Sequence, residues 1–167
     1  LGAEIYDVDL SRPVSDSQFN EIHQAFLQYQ VLFFKEQKEI RPEQQVTFGK
    51  RFGPLHTHPA APTMSGHPEV FEIHATKDSK IANGEFWHSD VSCDQIPPLG
   101  TILQIHITPE CGGDTMFSNM YSAYDTLSEP VKRMLEGLTA THESEHIYKG
   151  RYTDRGQNDA DIDCPMA

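Results

Sequence analysis

Apolar residues recur at helical spacing over "SDSQFNEIHQAFLQYQ", where Phe19, Ile22, Phe26 and Tyr29 fall on one stripe. Ser15 followed by Gln18 completes a capping-box pattern at its start. The preceding "GAEIYDVDL" alternates as a first strand, and "VLFFK" (31–35) is a short apolar run that predicts a buried strand. In "RPEQQVTFGKRFG", Pro42 suits a first helical turn and Gly53 a stop, with Val46 and Phe52 facing inward. Residues 54–69 are rich in Pro and His and predict an irregular loop able to line a site. Alternation then predicts strands over 70–76, 86–93 and 101–107. A helix is expected near 121–127. A second, "SEPVKRMLEGL", is capped by Ser128 and carries Val131, Met134, Leu135 and Leu138 on one stripe. "TATHE" reads as one more strand. From Ser144 the chain is polar, rich in Asp and Gly, and without period, which predicts a mobile insertion or lid over 144–167.

The elements are thus mixed α and β, with no repeat and no linker, and 1–167 reads as one domain. A chain of 167 residues is long enough for a real core, and 37% hydrophobic residues make it globular. The formal net charge of -12 repels phosphate backbones, so nucleic acid is not an expected partner. A small anionic substrate stays compatible, because a site can be locally positive. No run of 18 apolar residues occurs, so no membrane span is expected. Cys93, Cys111 and Cys164 lack CxxC spacing, which fits reduced thiols in a cytoplasm.

Nine histidines direct attention to metal chemistry. In "EFWHSDVSC", His88 and Asp90 are two residues apart, and on a strand they face one side. They would offer one nitrogen and one oxygen to a common point. With a second His supplied elsewhere, such a pair makes the facial triad of non-haem Fe(II) oxygenases, which leaves positions open for a bidentate co-substrate and O2. Phe86 would share the ligand face and Trp87 would pack behind it. A bare HxD also occurs on ordinary solvated strands, so the motif needs its surroundings.

Those surroundings resemble the taurine dioxygenase family, which includes the phenoxyacetate-herbicide dioxygenases. The resemblance rests on Trp87-His88-Ser89-Asp90, Pro97-Pro98, the segment 101–107, Gly112-Gly113-Asp114-Thr115 and the aromatic-rich Met120–Tyr124, in that order. "LGAEIYDVDL", "QVLFFKEQ" and "FGKRFGPLHTHP" are similar to the family's opening elements. The resemblance implies an α+β fold with a double-stranded β-helix (jelly-roll) core and flanking helices, only part of it in this chain. It implies His88 and Asp90 as Fe(II) ligands, Thr115 as a hydroxyl that bonds 2-oxoglutarate, and His58 as a contact for the substrate's anionic head. The family's aromatic residue three places after that His is Ala61 here, which puts taurine itself in doubt.

The implied activity is that of an Fe(II)- and 2-oxoglutarate-dependent dioxygenase. It uses O2 to hydroxylate a small anionic substrate, an alkyl sulfonate or sulfate ester, with release of sulfite or sulfate. Aryloxyalkanoates or amino-acid derivatives are the alternative substrates, and a non-catalytic metal- or ligand-binding jelly-roll is the rival class. A homo-oligomer, dimer or tetramer, is implied as well. The family's second ligand His and its 2-oxoglutarate-binding Arg lie further downstream than Ala167, so the catalytic domain is expected to be incomplete here.

Overall fold

The computed structural model describes residues 1–76, 78, 79, 84 and 86–151. Its elements in chain order are β1 (Ala3–Ile5), α1 (Asp16–Tyr29), β2 (Leu32–Phe34), α2 (Pro42–Gly49), α3 (Met120–Asp125), α4 (Glu129–Leu135) and α5 (Glu145–Tyr148). They fall into two compact units, one of Leu1–Ile40 with Leu103–Ala140, the other of Arg41–Ile102 with Thr141–Ala167.

In the first unit, β1 and β2 pair in parallel, with Ala3 opposite Leu32 and Ile5 opposite Phe34. A parallel pair needs a crossover, and α1 supplies it. The Ser15 hydroxyl accepts from the Gln18 N–H at 3.3 Å, and Gln18 Oε1 accepts from the Ser15 N–H at 3.2 Å. The capping box therefore forms as its spacing predicts. Phe19 and Ile22 are the buried face of α1, and with Leu10 and Ile40 they form the core of this unit. Glutamine amides do much of the remaining cross-linking. Gln37 accepts from the Leu10 N–H at 2.9 Å and donates to the Val8 carbonyl at 2.6 Å. Gln104 clasps the backbone of Ile40 from both sides, accepting from its N–H at 2.9 Å and donating to its carbonyl at 3.1 Å.

α3 starts at Asn119, whose Oδ1 accepts from the Ser122 N–H at 3.1 Å. α4 starts where expected, but the Ser128 hydroxyl makes no capping bond. Its stripe is also not buried, since Met134, Leu135 and Leu138 are exposed. Periodicity identified the helix correctly, and tertiary packing, which periodicity does not report, leaves this face open.

In the second unit, Pro42 occupies the first turn of α2, and Gln44 Oε1 accepts from the Arg41 N–H at 2.8 Å. Phe48 is buried, and Phe52 meets it edge-on at 5.4 Å between ring centroids. A Cβ on Gly49 would stand 3.0 Å from Leu55 Cδ2 and 3.6 Å from Ile102 Cδ1, so glycine permits the close approach at this point. A second cluster joins Ala60, Ala61, Cys93 and Tyr148, with Phe71 and Val91 packed against it.

Among the described residues the only hydrogen-bonded sheet is β1–β2. The strands expected over 70–76, 86–93 and 101–107 are not formed as ladders there. Alternation sets which way side chains face, whereas a strand also needs a neighbouring backbone. Between 101 and 107 that role falls to side chains: Gln104 on Ile40, and Gln45, whose Nε2 donates to the Ile102 carbonyl at 2.8 Å. "TATHE" forms no strand either. Of the expected insertion over 144–167, the described part contains α5, with Ser144 and Tyr148 buried. One helical turn is too short to show a period in sequence. Residues 152–167, including Cys164, lie outside the described residues.

Candidate metal centre

His88 and Asp90 do meet. His88 Nε2 lies 3.3 Å from Asp90 Oδ1, with the two side chains 54% and 51% exposed. The backbone that joins them is not the regular strand expected. The chain is irregular over Trp87–Ser89 and turns through Asp90–Cys93, closed by the Asp94 N–H donating to the Val91 carbonyl at 3.1 Å. Val91 has φ +48°, the left-handed region that a β-branched residue enters only under strain. Such strain costs of order 1–3 kcal/mol and persists where surrounding contacts hold it. Here the contact is packing of Val91 onto the Ala60–Ala61–Cys93–Tyr148 cluster. The turn also overrides the expected two-sided packing: Phe86 and Trp87 are both exposed, and Trp87 covers no core.

The ring of His88 is fixed by its other nitrogen. Nδ1 lies 2.7 Å from the Phe86 carbonyl oxygen, an acceptor only, so Nδ1 carries a proton. A neutral ring in that tautomer presents a lone pair at Nε2, facing a carboxylate oxygen. In that form the two atoms face each other as acceptors and are suited to share a cation. With metal–ligand bonds of about 2.1 Å, a 3.3 Å separation subtends about 100°, close to neighbouring octahedral positions. The pair therefore fits a divalent metal as two of its ligands. Among the described residues no group of three or more His, Cys, Asp or Glu side chains could hold one alone.

The second carboxylate oxygen of Asp90 is occupied. Thr101 donates its hydroxyl to Oδ2 at 2.7 Å. Sequence reasoning missed Thr101, for it stands eleven positions away, beyond the Pro97–Pro98 turn. It also missed His56, whose Nε2 lies 2.5 Å from Asp94 Oδ2. The LHTHP spacing and the Asp four places after Asp90 were the available signals, and neither predicts a contact by itself.

His58 belongs to the same unit and is half-buried, ringed by Phe71 at 5.5 Å and Tyr148 at 5.1 Å. Its Nδ1 accepts from the N–H groups of Ala60 and Ala61, at 3.1 and 2.8 Å. Protonating Nδ1 would break both bonds. Burial holds the His58 pKa below the ordinary histidine value and nearby His56 adds to this, while Asp90 and Asp94 pull weakly the other way. Ala61 is packed in the cluster with Tyr148 and Cys93.

A folded-state pKa below the unfolded one means the neutral ring contributes stability above about 6.5, and that contribution is lost as pH falls through the depressed folded value. Melting temperature is therefore expected to fall as the medium is acidified below that point, less steeply in His58→Gln. Equal slopes for the two proteins, measured by circular dichroism, would assign the effect to another group.

Thr115 lies in the first unit, exposed, just after Gly112 and Gly113, both at φ +75°. The Thr115 hydroxyl makes no hydrogen bond to another described residue. Three other histidines are held separately: His106 by Glu39 at 3.3 Å, His142 by the Ser92 hydroxyl at 3.0 Å and His146 by Glu143 at 2.8 Å. His142 and His146 thus do not converge despite their spacing.

The family model for taurine catabolism dioxygenase TauD, TfdA family, matches residues 1–166. The chain belongs to this family. It is 37% identical over 150 residues to an alkylsulfatase of Acinetobacter baylyi, covering 90% of this chain and 46% of that protein. It is 31% identical over 148 residues to an alpha-ketoglutarate-dependent sulfate ester dioxygenase of Pseudomonas putida, covering 89% and 48%. The crystal structure of a taurine dioxygenase from Burkholderia xenovorans superposes with a TM-score of 0.67 at 36% identity, over 85% of this chain and 50% of that one. The chain spans about half the length of the curated relatives it matches. No helix among the described residues is long and apolar enough to cross a membrane.

Proposed function

We propose that this TauD/TfdA-family chain contributes His88 and Asp90 as two iron ligands of a 2-oxoglutarate-dependent dioxygenase acting on a small alkyl sulfate ester. The observation that carries the reading is the 3.3 Å approach of His88 Nε2 to Asp90 Oδ1 with Nδ1 already committed to the Phe86 carbonyl. The alkylsulfatase and the sulfate ester dioxygenase are named for sulfate-ester chemistry, which supports a sulfate leaving group, while other relatives are named for sulfonates. Bound Fe(II) with 2-oxoglutarate and O2 supplies the oxidation, in which 2-oxoglutarate becomes succinate and CO2 and one oxygen atom enters a substrate C–H bond. Hydroxylation at the carbon bearing the sulfate gives a hemiacetal-like ester. Its C–O bond to sulfate then breaks, leaving an aldehyde and free sulfate.

The chain's own residues bind and orient. His88 and Asp90 hold the ion, and Val91, pinned in the cluster, sets the turn on which Asp90 stands. By family likeness Thr115, after the glycine pair, would offer a hydroxyl to a carboxylate of 2-oxoglutarate. His58, with Nδ1 occupied as acceptor, carries the proton of a neutral ring on Nε2. It would meet an anionic head as a neutral N–H donor rather than as an imidazolium. Family likeness calls for a third ligand and an Arg for 2-oxoglutarate in addition to this pair, and among the described residues no third His, Cys, Asp or Glu joins it. Family likeness also favours a homo-oligomer, and free Cys93 and Cys111 fit a reducing, cytoplasmic compartment.

The test is a turnover assay of the intact gene product with Fe(II), 2-oxoglutarate and O2 against linear alkyl sulfates, taurine, other alkyl sulfonates and phenoxyacetate. Succinate and sulfate are expected to form in equal amounts with an alkyl sulfate. Sulfite release from a sulfonate alone would move the substrate class, and no substrate-dependent succinate at all would overturn the enzymatic reading.

A further inference from the structure

We infer that Thr101 is the positioning residue for Asp90, fixing which carboxylate oxygen faces the metal. The inference rests on the reading of His88 and Asp90 as ligands. A carboxylate turns readily about its last torsion, which has broad, two-fold preferences, so a half-exposed aspartate does not choose one oxygen unaided. Here the choice is made. Thr101 Oγ1 donates to Oδ2 at 2.7 Å, within the range of a charge-assisted O–H···O⁻ bond, while Oδ1 faces His88 Nε2 at 3.3 Å. One oxygen is tethered and the other is aimed, which favours a single Asp90 oxygen on the ion and keeps further coordination positions open.

Thr101 is itself placed from outside the pair. Its neighbour Ile102 is fixed by Gln45 Nε2 at 2.8 Å and approaches Gly49 closely, so α2 sets the position of the threonine. The other ligand is oriented by a separate donor–acceptor contact, His88 Nδ1 to the Phe86 carbonyl. Each proposed ligand therefore has one dedicated partner on its rear side, the arrangement by which outer groups orient metal ligands. The two partners are of opposite kind, a carbonyl behind the imidazole and a hydroxyl behind the carboxylate, as the donors and acceptors of the two ligands require.

The test uses anaerobic Co(II) titration of the intact gene product, read at the visible ligand-field bands, with Fe(II) as a second probe. Thr101→Val keeps the shape and removes the donor; it is expected to weaken uptake about tenfold and alter the band pattern. Thr101→Ser, which keeps the hydroxyl, is expected to restore both, and the metal-free proteins should melt alike. Parent-like affinity and bands in Thr101→Val would overturn the inference while leaving the ligand pair intact. A Thr101→Ser protein as weak as Thr101→Val would also overturn it, since the hydroxyl would not be the active feature. No uptake by the parent protein would remove the metal reading, and the inference with it.

Discussion

Replacing His88 by alanine is expected to abolish metal uptake and turnover while the metal-free protein melts as before. The two halves of this result have different causes. The side chain is 54% exposed and belongs to no apolar cluster, so its loss removes little packing. Substitutions at such sites usually change stability by within about 0.5 kcal/mol. Its chemical loss is large, because among the described residues Nε2 is one of two ligand atoms that meet at this point. Changes to groups behind a ligand cost about 10–100-fold, and removal of a ligand from an incomplete pair should exceed that. Asp90→Asn is the companion variant: it keeps the shape and removes the charge. Parent-like turnover in His88→Ala, or a collapse of the metal-free fold with no specific loss of uptake, would remove the ligand role.

How much of this could be read from the chain differs by element. α1 was legible because Ser15, Gln18, Phe19 and Ile22 are all local signals, and all act as expected in the structure. β2 and the start of α2 were legible for similar reasons, a short apolar run and a proline at the first turn, but β2 is not the buried strand expected, with Phe33 exposed, and α2 ends at Gly49, ahead of the expected stop at Gly53. Segments 70–76, 86–93 and 101–107 were misread as strands because alternation is local whereas a ladder is not. The amides of Gln45 and Gln104, which hold the last of these segments, lie in sequence positions that no strand pattern singles out.

The site shows the same division. Spacing correctly suggested that His88 and Asp90 could meet, yet the backbone that achieves it is a strained turn at Val91 and not a strand. The tautomer of His88 depends on the Phe86 carbonyl, and the acceptor role of His58 on two backbone N–H groups. Backbone polar groups carry no residue label, so sequence offers no sign of them. Thr101 was unreadable for another reason: its contact depends on how the chain returns after two prolines.

The other large effect is expected at Tyr148. Tyr148 is 7% exposed and comes from α5, a segment whose composition reads as an irregular tail. Its ring meets His58 at 5.1 Å, its hydroxyl lies 3.8 Å from Cys93 Sγ, and it shares a cluster with Ala60 and Ala61. The buried neighbours Ala60, Ala61 and Cys93 are small, so they cannot fill a cavity left by Tyr148→Ala. Truncation of a large buried aromatic costs about 3–5 kcal/mol, which for a chain of this size is a melting shift of roughly 6–20 °C. Tyr148→Phe keeps the packed ring, gives up the weak contact of the hydroxyl with sulfur, and should cost under about 1 kcal/mol. The functional consequence follows from Val91. Its left-handed backbone is held by this cluster, and Asp90 is the residue before it. With the ring gone, the turn can relax, and Asp90 should lose its fixed approach to His88. Tyr148→Ala is therefore expected to weaken Co(II) uptake even at temperatures where it remains folded, and Tyr148→Phe is not. A destabilised Tyr148→Ala with unchanged metal affinity would show that the cluster supports the fold but does not set the turn.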